Sequence, residues 1–170
     1  MTATHDTPLG TLTLAASDTG LTRCAVAPTA TDVGAGGASP AARALLDRAR
    51  RELDAYLGGE LRSVTVPVDL ADCSAFDRRV LAALEAIGYG ATATYAGLAA
   101  MLALPDADAR RLRKVGWALA RNPVLIVVPC HRIVGSDGSL VGYAGSQAAK
   151  RALLDLEACD RAPQLDLTWP

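Results

Sequence analysis

Residues 127–135 read VVPCHRIVG, an apolar run that stops at a proline and then presents a cysteine, a histidine and an arginine in succession. Residues 124–128, VLIVV, have the length and β-branched content of a buried strand. Consecutive side chains in a strand point to opposite faces, so Cys130 and His131 could not share a pocket if the strand simply continued. Pro129 predicts that it does not, and that the chain turns so that both side chains face one cavity. Asn122, just before Pro123, is a short amide suited to pinning such a turn by bonding nearby backbone groups.

A free cysteine has a pKa near 8.5, so roughly 3% of it is thiolate at neutral pH. A nucleophilic role therefore needs a base, and the base needs a group to orient it. His131 is the sole histidine outside the N-terminal tail, where His5 lies. Glu157 is available as the third member near the end of the last helix, and the residues alone give it little preference over Asp155 or Asp160. The opposing reading is an inert core thiol. The adjacent histidine and arginine weigh against it, because a core strand does not normally run into such residues.

The rest of the chain limits the options. Its 170 residues suffice for one ordinary domain or two small ones sharing a core. Half the chain is hydrophobic (51%) but only 4% is aromatic, so the core must be built from Ala, Leu and Val. A net charge of −1 excludes a global basic field, leaving a local patch as the way to meet nucleic acid. The four cysteines, Cys24, Cys73, Cys130 and Cys159, lie far apart and read as free thiols in a reducing cytosol. No His/Cys cluster has zinc-ligand spacing, so neither metal nor cofactor is expected. The start, MTATHDTPLGTLTL, lacks the basic-then-apolar pattern of a signal peptide, and no apolar stretch is long enough to span a membrane. A soluble cytoplasmic protein is expected.

Two compositional halves predict an α/β fold: a small N-terminal α/β domain over 1–72, then a mostly helical C-terminal domain over 73–170. In the first, residues 9–28 alternate around Asp18-Thr19-Gly20 as a hairpin. Residues 29–40 form a Gly/Ala/Thr loop. Ser39-Pro40 starts a helix carrying Leu45, Leu46, Ala49, Leu53 and Leu57, which ends at Gly58-Gly59. Val64, Val66 and Val68 predict a strand that Pro67 pushes to a sheet edge. In the second, Ser74 with Asp77 resembles a capping box for a helix stopped by Gly88-Tyr89-Gly90. Thr94 caps a short helix over 95–102, Leu104-Pro105-Asp106 turns, and 107–120 form another helix, the outline of a helix-turn-helix. A hairpin around Asp137-Gly138 and a final helix over 146–158, capped by Ser146, complete the chain.

PCHR at 129–132, preceded by NPVLIVV and followed by GYAG at 142–145, resembles the active-site signature of the O6-alkylguanine-DNA alkyltransferases. The resemblance extends through TPLGTLTLA at 7–15, LDAYLGGEL at 53–61, FDRRVLAAL at 76–84, TYAGLAAML at 94–102, VGWALARNP at 115–123 and KRALLDLE at 150–157. It implies a DNA-repair protein that transfers the alkyl group of a flipped-out O6-alkylguanine irreversibly to its own Cys130, one turnover per molecule. It further implies that His131 takes the thiol proton through a water and that Glu157 holds the imidazole. Asn122 would tie the turn and Tyr95 would donate a hydrogen bond to the departing guanine. Tyr143 would line the alkyl pocket, with Arg132 also on the substrate side. The backbone at Cys130, Ile133 and Ala144 would read the base edge. Attack on a saturated carbon suits a soft thiolate without a metal, and a phenol donor quenches the charge on a poor leaving group.

The implied partner is double-stranded DNA containing O6-alkylguanine, met in the minor groove by a monomer. Arg110, Arg111, Arg113, Lys114 and Arg121 put five positive charges and no acid on residues 110–121. Arg113 matches the family's intercalating arginine, while Arg111 and Lys114 are expected at phosphates. Departures from the family pattern are Arg111, Leu112 and Lys114 where small residues are usual beside the arginine, and Ser146 where a second glycine follows Gly145. Gly88 stands for a proline and Leu81 for a tryptophan. Three rival readings are a binding module for alkylated bases, a Cys-His-Glu thiol hydrolase, and a protein taking alkyl groups from small molecules.

Overall fold

The computed structural model describes residues 1–26, 39–104 and 109–159. Ser39 opens the longest helix: its Oγ accepts from the Ala42 N–H, and Pro40 sits where a missing N–H costs nothing. This helix, α1 (Pro40–Leu57), buries Ala42, Leu46, Ala49, Leu53 and Tyr56 on one stripe. The stripe packs on an antiparallel sheet of β1 (Thr2–Thr7), β2 (Gly10–Ala16) and β3 (Leu21–Val26), ordered β1-β2-β3. The hairpin expected over 9–28 is the β2–β3 pair, with Leu14 opposite Cys24. β1 has no counterpart in the sequence-based expectation. Only its Ala3 is buried, as suits an outer strand of mainly polar residues.

Val64, Val66 and Val68 do not form the expected strand. The segment makes one isolated bridge, with Leu21 N–H donating to Pro67 O and Asp69 N–H to Leu21 O, both at 2.8 Å. The Glu52 carboxylate of α1 takes the N–H groups of Thr65 and Val66, so a side chain does the work a ladder would have done. Most of the glycine loop lies outside the described residues.

Helix α2 (Ala75–Ala83) starts at Ser74, whose Oγ accepts from the Asp77 N–H, and tightens into a 3-10 turn over Leu84–Ala86 before Gly88. The Asp77 carboxylate is taken by the Arg121 guanidinium at 2.6 and 3.0 Å, which removes Arg121 from the expected phosphate strip. Thr94 caps α3 (Tyr95–Met101), its Oγ1 accepting from the Gly97 N–H. Helix α4 (Ala109–Ala120) follows; the turn expected at Pro105-Asp106 and the helix start expected at 107 lie outside the described residues. Helices α2, α3 and α4 pack on one another. The last helix, α5 (Gln147–Cys159), is capped by Ser146 and packs on a 3-10 turn formed by Cys130–Arg132.

The expected strand at 124–128 is instead a buried turn. Val128 N–H returns to Val124 O at 3.0 Å, and Ile126 sits at φ +72°, a region β-branched residues rarely enter. The run looks strand-like because nearly every side chain in it is buried, and a short apolar run has no period to betray its conformation. Its single strand-like contact matters: Cys24 N–H donates to Pro123 O and Leu125 N–H to Cys24 O. The free edge of β3 thereby clamps the turn that carries Cys130. A turn does form at Asp137-Gly138, but its arms do not pair as a hairpin. Of them only β5 (Ile133–Val134) is in a strand, pairing parallel with β4 (Ala93–Thr94).

Candidate active site

Asn122 holds the turn from inside. Its Oδ1 accepts from Val124 N–H and its Nδ2 donates to Val128 O, both at 3.0 Å, and Nδ2 also reaches Cys130 Sγ at 3.1 Å. One amide therefore closes the loop and contacts the sulfur. Cys130 and His131 fall in the 3-10 turn rather than a strand, and both are buried.

The imidazole Nε2 of His131 lies 2.7 Å from Glu157 Oε1. Glu157, on the inner face of α5, also accepts from Arg132 Nε and Nη2 at about 3.0 Å, from Gly90 N–H at 2.8 Å, and from the Tyr56 hydroxyl. Burial alone would raise its carboxyl, but these donors outweigh it and hold the pKa down at about 2. An ionised carboxylate only accepts, so Nε2 carries the proton of the neutral imidazole and Nδ1 keeps its lone pair. Nδ1 is buried and has no hydrogen-bond partner among the described residues. Burial also pushes the His131 pKa down, against the pull of Glu157, so the ring rests neutral. Burial pushes the Cys130 thiol up to about 11, opposed by Asn122 and by the charge of Lys150. The pair rests as thiol and neutral imidazole, an acid beside an unoccupied base.

Tyr95 begins α3 and is half-buried, its hydroxyl donating to Val141 O at 3.3 Å. Burial and the neighbouring Cys130 raise its pKa, keeping it a protonated donor. Tyr143 stands edge-on to His131, with ring centroids 6.4 Å apart, and its buried hydroxyl has no partner among the described residues. The glycines of GYAG make room for these two phenols. A Cβ on Gly142, already at φ +61°, would lie 2.8 Å from Tyr95 Oη, and one on Gly145 would lie 2.6 Å from Tyr143 Cε1.

Other expected site residues are placed differently. Arg132 is buried and spent on Glu157 and on Ile87 O at 2.7 Å, so it braces the carboxylate instead of facing a substrate. The N–H groups of Cys130 and Ile133 are engaged by Val128 O and Cys130 O, so a base edge could be read there only by their carbonyl oxygens; Ala144 is exposed. Arg113 and Lys114 are exposed on α4, and Arg111 is half-buried.

Two contributors escaped the sequence reading. Tyr56 arrives from α1, and Lys150, fully buried on α5, donates to Ile133 O at 2.5 Å and Val141 O at 2.8 Å. Lys150 thus ties together the two segments flanking the pocket. Its signal was spacing: Lys150, Leu153 and Glu157 share one helical face, which places a lysine on an apolar stripe. All four cysteines are free, and no metal-ligating cluster occurs among the described residues, where His5 Nε2 bonds Asp54 at 2.7 Å. No described helix is long and apolar enough to cross a membrane.

Both halves of the chain match known proteins. Residues 1–70 match the family described as 6-O-methylguanine DNA methyltransferase, ribonuclease-like domain, and residues 75–159 match its DNA binding domain. A methylated-DNA–protein-cysteine methyltransferase of Mycolicibacterium paratuberculosis is 40% identical over 154 residues, covering 91% of this chain and 90% of that protein. Similar crystal structures include the Mycobacterium tuberculosis O6-methylguanine methyltransferase (TM-score 0.77, 38% identity, 96% and 94% of the two chains). They also include the M. tuberculosis OGT in complex with DNA (TM-score 0.76, 38% identity, 92% and 91% of the two chains). With both of its halves matched, the chain belongs to the 6-O-methylguanine DNA methyltransferase family.

Proposed function

We propose that this protein repairs DNA by moving the alkyl group of O6-alkylguanine onto Cys130 Sγ, once per molecule. The observation that carries this reading is the buried relay: Asn122 on the sulfur, Glu157 on Nε2 of His131, and Nδ1 left as an unoccupied base. The thiol proton passes through a water to Nδ1, and Glu157 balances the imidazolium that forms. The thiolate attacks the alkyl carbon; a C–S bond forms as the C–O6 bond breaks, and the electron pair leaves with guanine. Tyr95 donates to the departing base, and His131 returns its proton to the pool, so the sum is thiol plus alkylguanine giving thioether plus guanine. A thioether has no carbonyl for water to attack, which makes the step final and disfavours a hydrolase.

Delivery uses α4 in the minor groove of duplex DNA. Arg113 fills the gap left by the flipped nucleotide, while Arg111 and Lys114 meet phosphates. The protein acts as a cytoplasmic monomer, and the intact thiol separates it from a module that only binds alkylated bases.

Intact mass after incubation with a duplex containing O6-methylguanine tests the reading. One added methyl group per chain, mapped to Cys130 and absent in Cys130→Ser, is expected. Repeated turnovers, or an adduct on Cys24, Cys73 or Cys159, would overturn it.

A further inference from the structure

Trp117 is 60% exposed, the most exposed large hydrophobic side chain among the described residues. It lies one turn after Arg113 on α4, and the same outer face carries Arg110 and Lys114, all exposed. An indole gains nothing from a solvated helix position, where its helix propensity is below that of alanine. It also walls a hollow of about 460 Å³ between α4, the start of α3 and the 135–139 turn. Tyr95 and Arg113 line that hollow too, so the indole stands at a mouth shared with the phenol expected to meet the target base.

The charges around the indole choose its occupant. A second copy of this chain docked here would set Arg110, Arg113 and Lys114 against their own equivalents. A nucleic-acid strand supplies the opposite charge on its phosphates and a flat π-face for the indole, the combination used by single-strand binding surfaces. In an intact duplex the neighbouring base pairs cover every base face, so an indole carried to the minor groove on α4 finds no free face to lie on. Strands that are already open offer an unpaired base without that obstacle.

Resting on the repair reading above, we propose that Trp117 is a specificity residue that stacks on an unpaired nucleobase beside the target. It biases the protein toward alkylguanine in single-stranded or opened DNA. The aromatic face supplies the contact, and Arg110 and Lys114 hold the backbone across it.

The test reads stacking and chemistry separately. In a Trp169→Phe background, so that Trp117 is the remaining tryptophan, an unmodified single-stranded oligonucleotide should quench indole emission more than the same sequence as a duplex. Heparin, which carries charge without bases, should not quench it. The rate of Cys130 alkylation by single-stranded O6-methylguanine, divided by the rate with the duplex, should fall roughly tenfold in Trp117→Ala and recover in Trp117→Phe. Equal quenching by heparin, no quenching by the single strand, or an unchanged ratio overturns the proposal. A loss confined to duplex also overturns it, assigning the indole to a duplex wedge. Failure of Cys130 to accept an alkyl group even from the free O6-alkylguanine base would instead sink the repair reading. Alkylation that proceeds without regard to Trp117 sinks only the stacking role.

Discussion

The Tyr56 hydroxyl donates to Glu157 Oε1 across 101 residues of chain, joining the first helix of the N-terminal unit to the carboxylate that orients His131. The sheet-and-helix half therefore reaches the buried Glu157–His131 pair of the other half. Burial and the adjacent carboxylate push the Tyr56 pKa well up, so its phenol remains a donor throughout the working range. In Tyr56→Phe, Glu157 loses one of the donors that hold its pKa below the ordinary 4.5. A depressed carboxyl stabilises the fold above its unfolded pKa, and that stability is lost as pH falls toward its folded one. Raising the folded value narrows that window from below and leaves less stability above it, so the remaining acid-sensitive groups unfold the protein sooner and the acid-unfolding midpoint should move up. Stability at neutral pH should fall by about 2 kcal/mol. Urea melts at neutral pH and an acid titration followed by circular dichroism measure both; two unchanged midpoints would leave the bond without a role.

Glu157→Gln removes the charge that balances an imidazolium and strands the buried Arg132 guanidinium. Alkylation should slow on the order of a hundredfold, with its pH–rate profile displaced to higher pH. Breaking the buried Arg132 pair should cost about 3–5 kcal/mol. Asp155→Asn, an exposed neighbour on α5, should alter neither quantity. A pH–rate profile identical to that of the unaltered protein would remove Glu157 from the relay.

What could be read in the sequence is what neighbouring residues decide among themselves. The caps at Ser39, Ser74, Thr94 and Ser146 bond N–H groups three residues on, so their composition carries the signal. Asn122 likewise acts within eight residues. Tyr56 and Lys150 have no such signature, because their partners are fixed by how α1 and α5 dock. The turn at 124–128 misled for a related reason: nearly all of its side chains are buried, and burial on every side erases the alternation that distinguishes conformations. The segment at 64–68 alternates like a strand, yet a side chain, Glu52, reached its backbone first.

The four thiols should react in an order that separates exposure from catalysis. Cys159 is exposed and Cys73 half-buried, whereas Cys24 and Cys130 are buried, with burial pushing their pKa values up to about 12 and about 11. Iodoacetamide at neutral pH should therefore label Cys159 first, Cys73 next and Cys130 slowly. An alkylguanine substrate should invert the order and modify Cys130 alone, because it fills the pocket where the proton can pass to His131. Peptide mapping after timed labelling distinguishes these. Equal rates at Cys130 and Cys159 toward iodoacetamide would mean a resting thiolate, with no need for the relay.

Ser146 stands at φ +117°, where a Cβ is strained, in the position that the family pattern gives to a second glycine. Its Oγ offsets part of that strain by capping α5 at Ala149 N–H, 3.1 Å away. Strain of this kind costs about 1–3 kcal/mol, whereas glycine caps a helix with a loss of only a few tenths. Ser146→Gly should thus stabilise the protein by about 1 kcal/mol and raise Tm. A fall in Tm would show that the cap outweighs the strain.

Arg113 separates chemistry from delivery. It is exposed on α4 yet borders the same hollow as Tyr95, nine residues before the asparagine that holds the sulfur. Extracting a nucleotide from the stack costs a few kcal/mol, and a guanidinium filling the gap offsets part of it. Arg113→Ala should slow repair of duplex DNA on the order of tenfold to a hundredfold while leaving the melting temperature steady. Reaction with a free O6-alkylguanine base, which needs no extraction, should fall far less, so the ratio of the two rates is the readout. Lys114→Ala should behave differently: weaker binding to every sequence alike and a salt dependence shallower by about one unit of slope. Equal losses on free base and duplex in Arg113→Ala would place the residue in the support of the pocket, and its part in flipping would have to be given up.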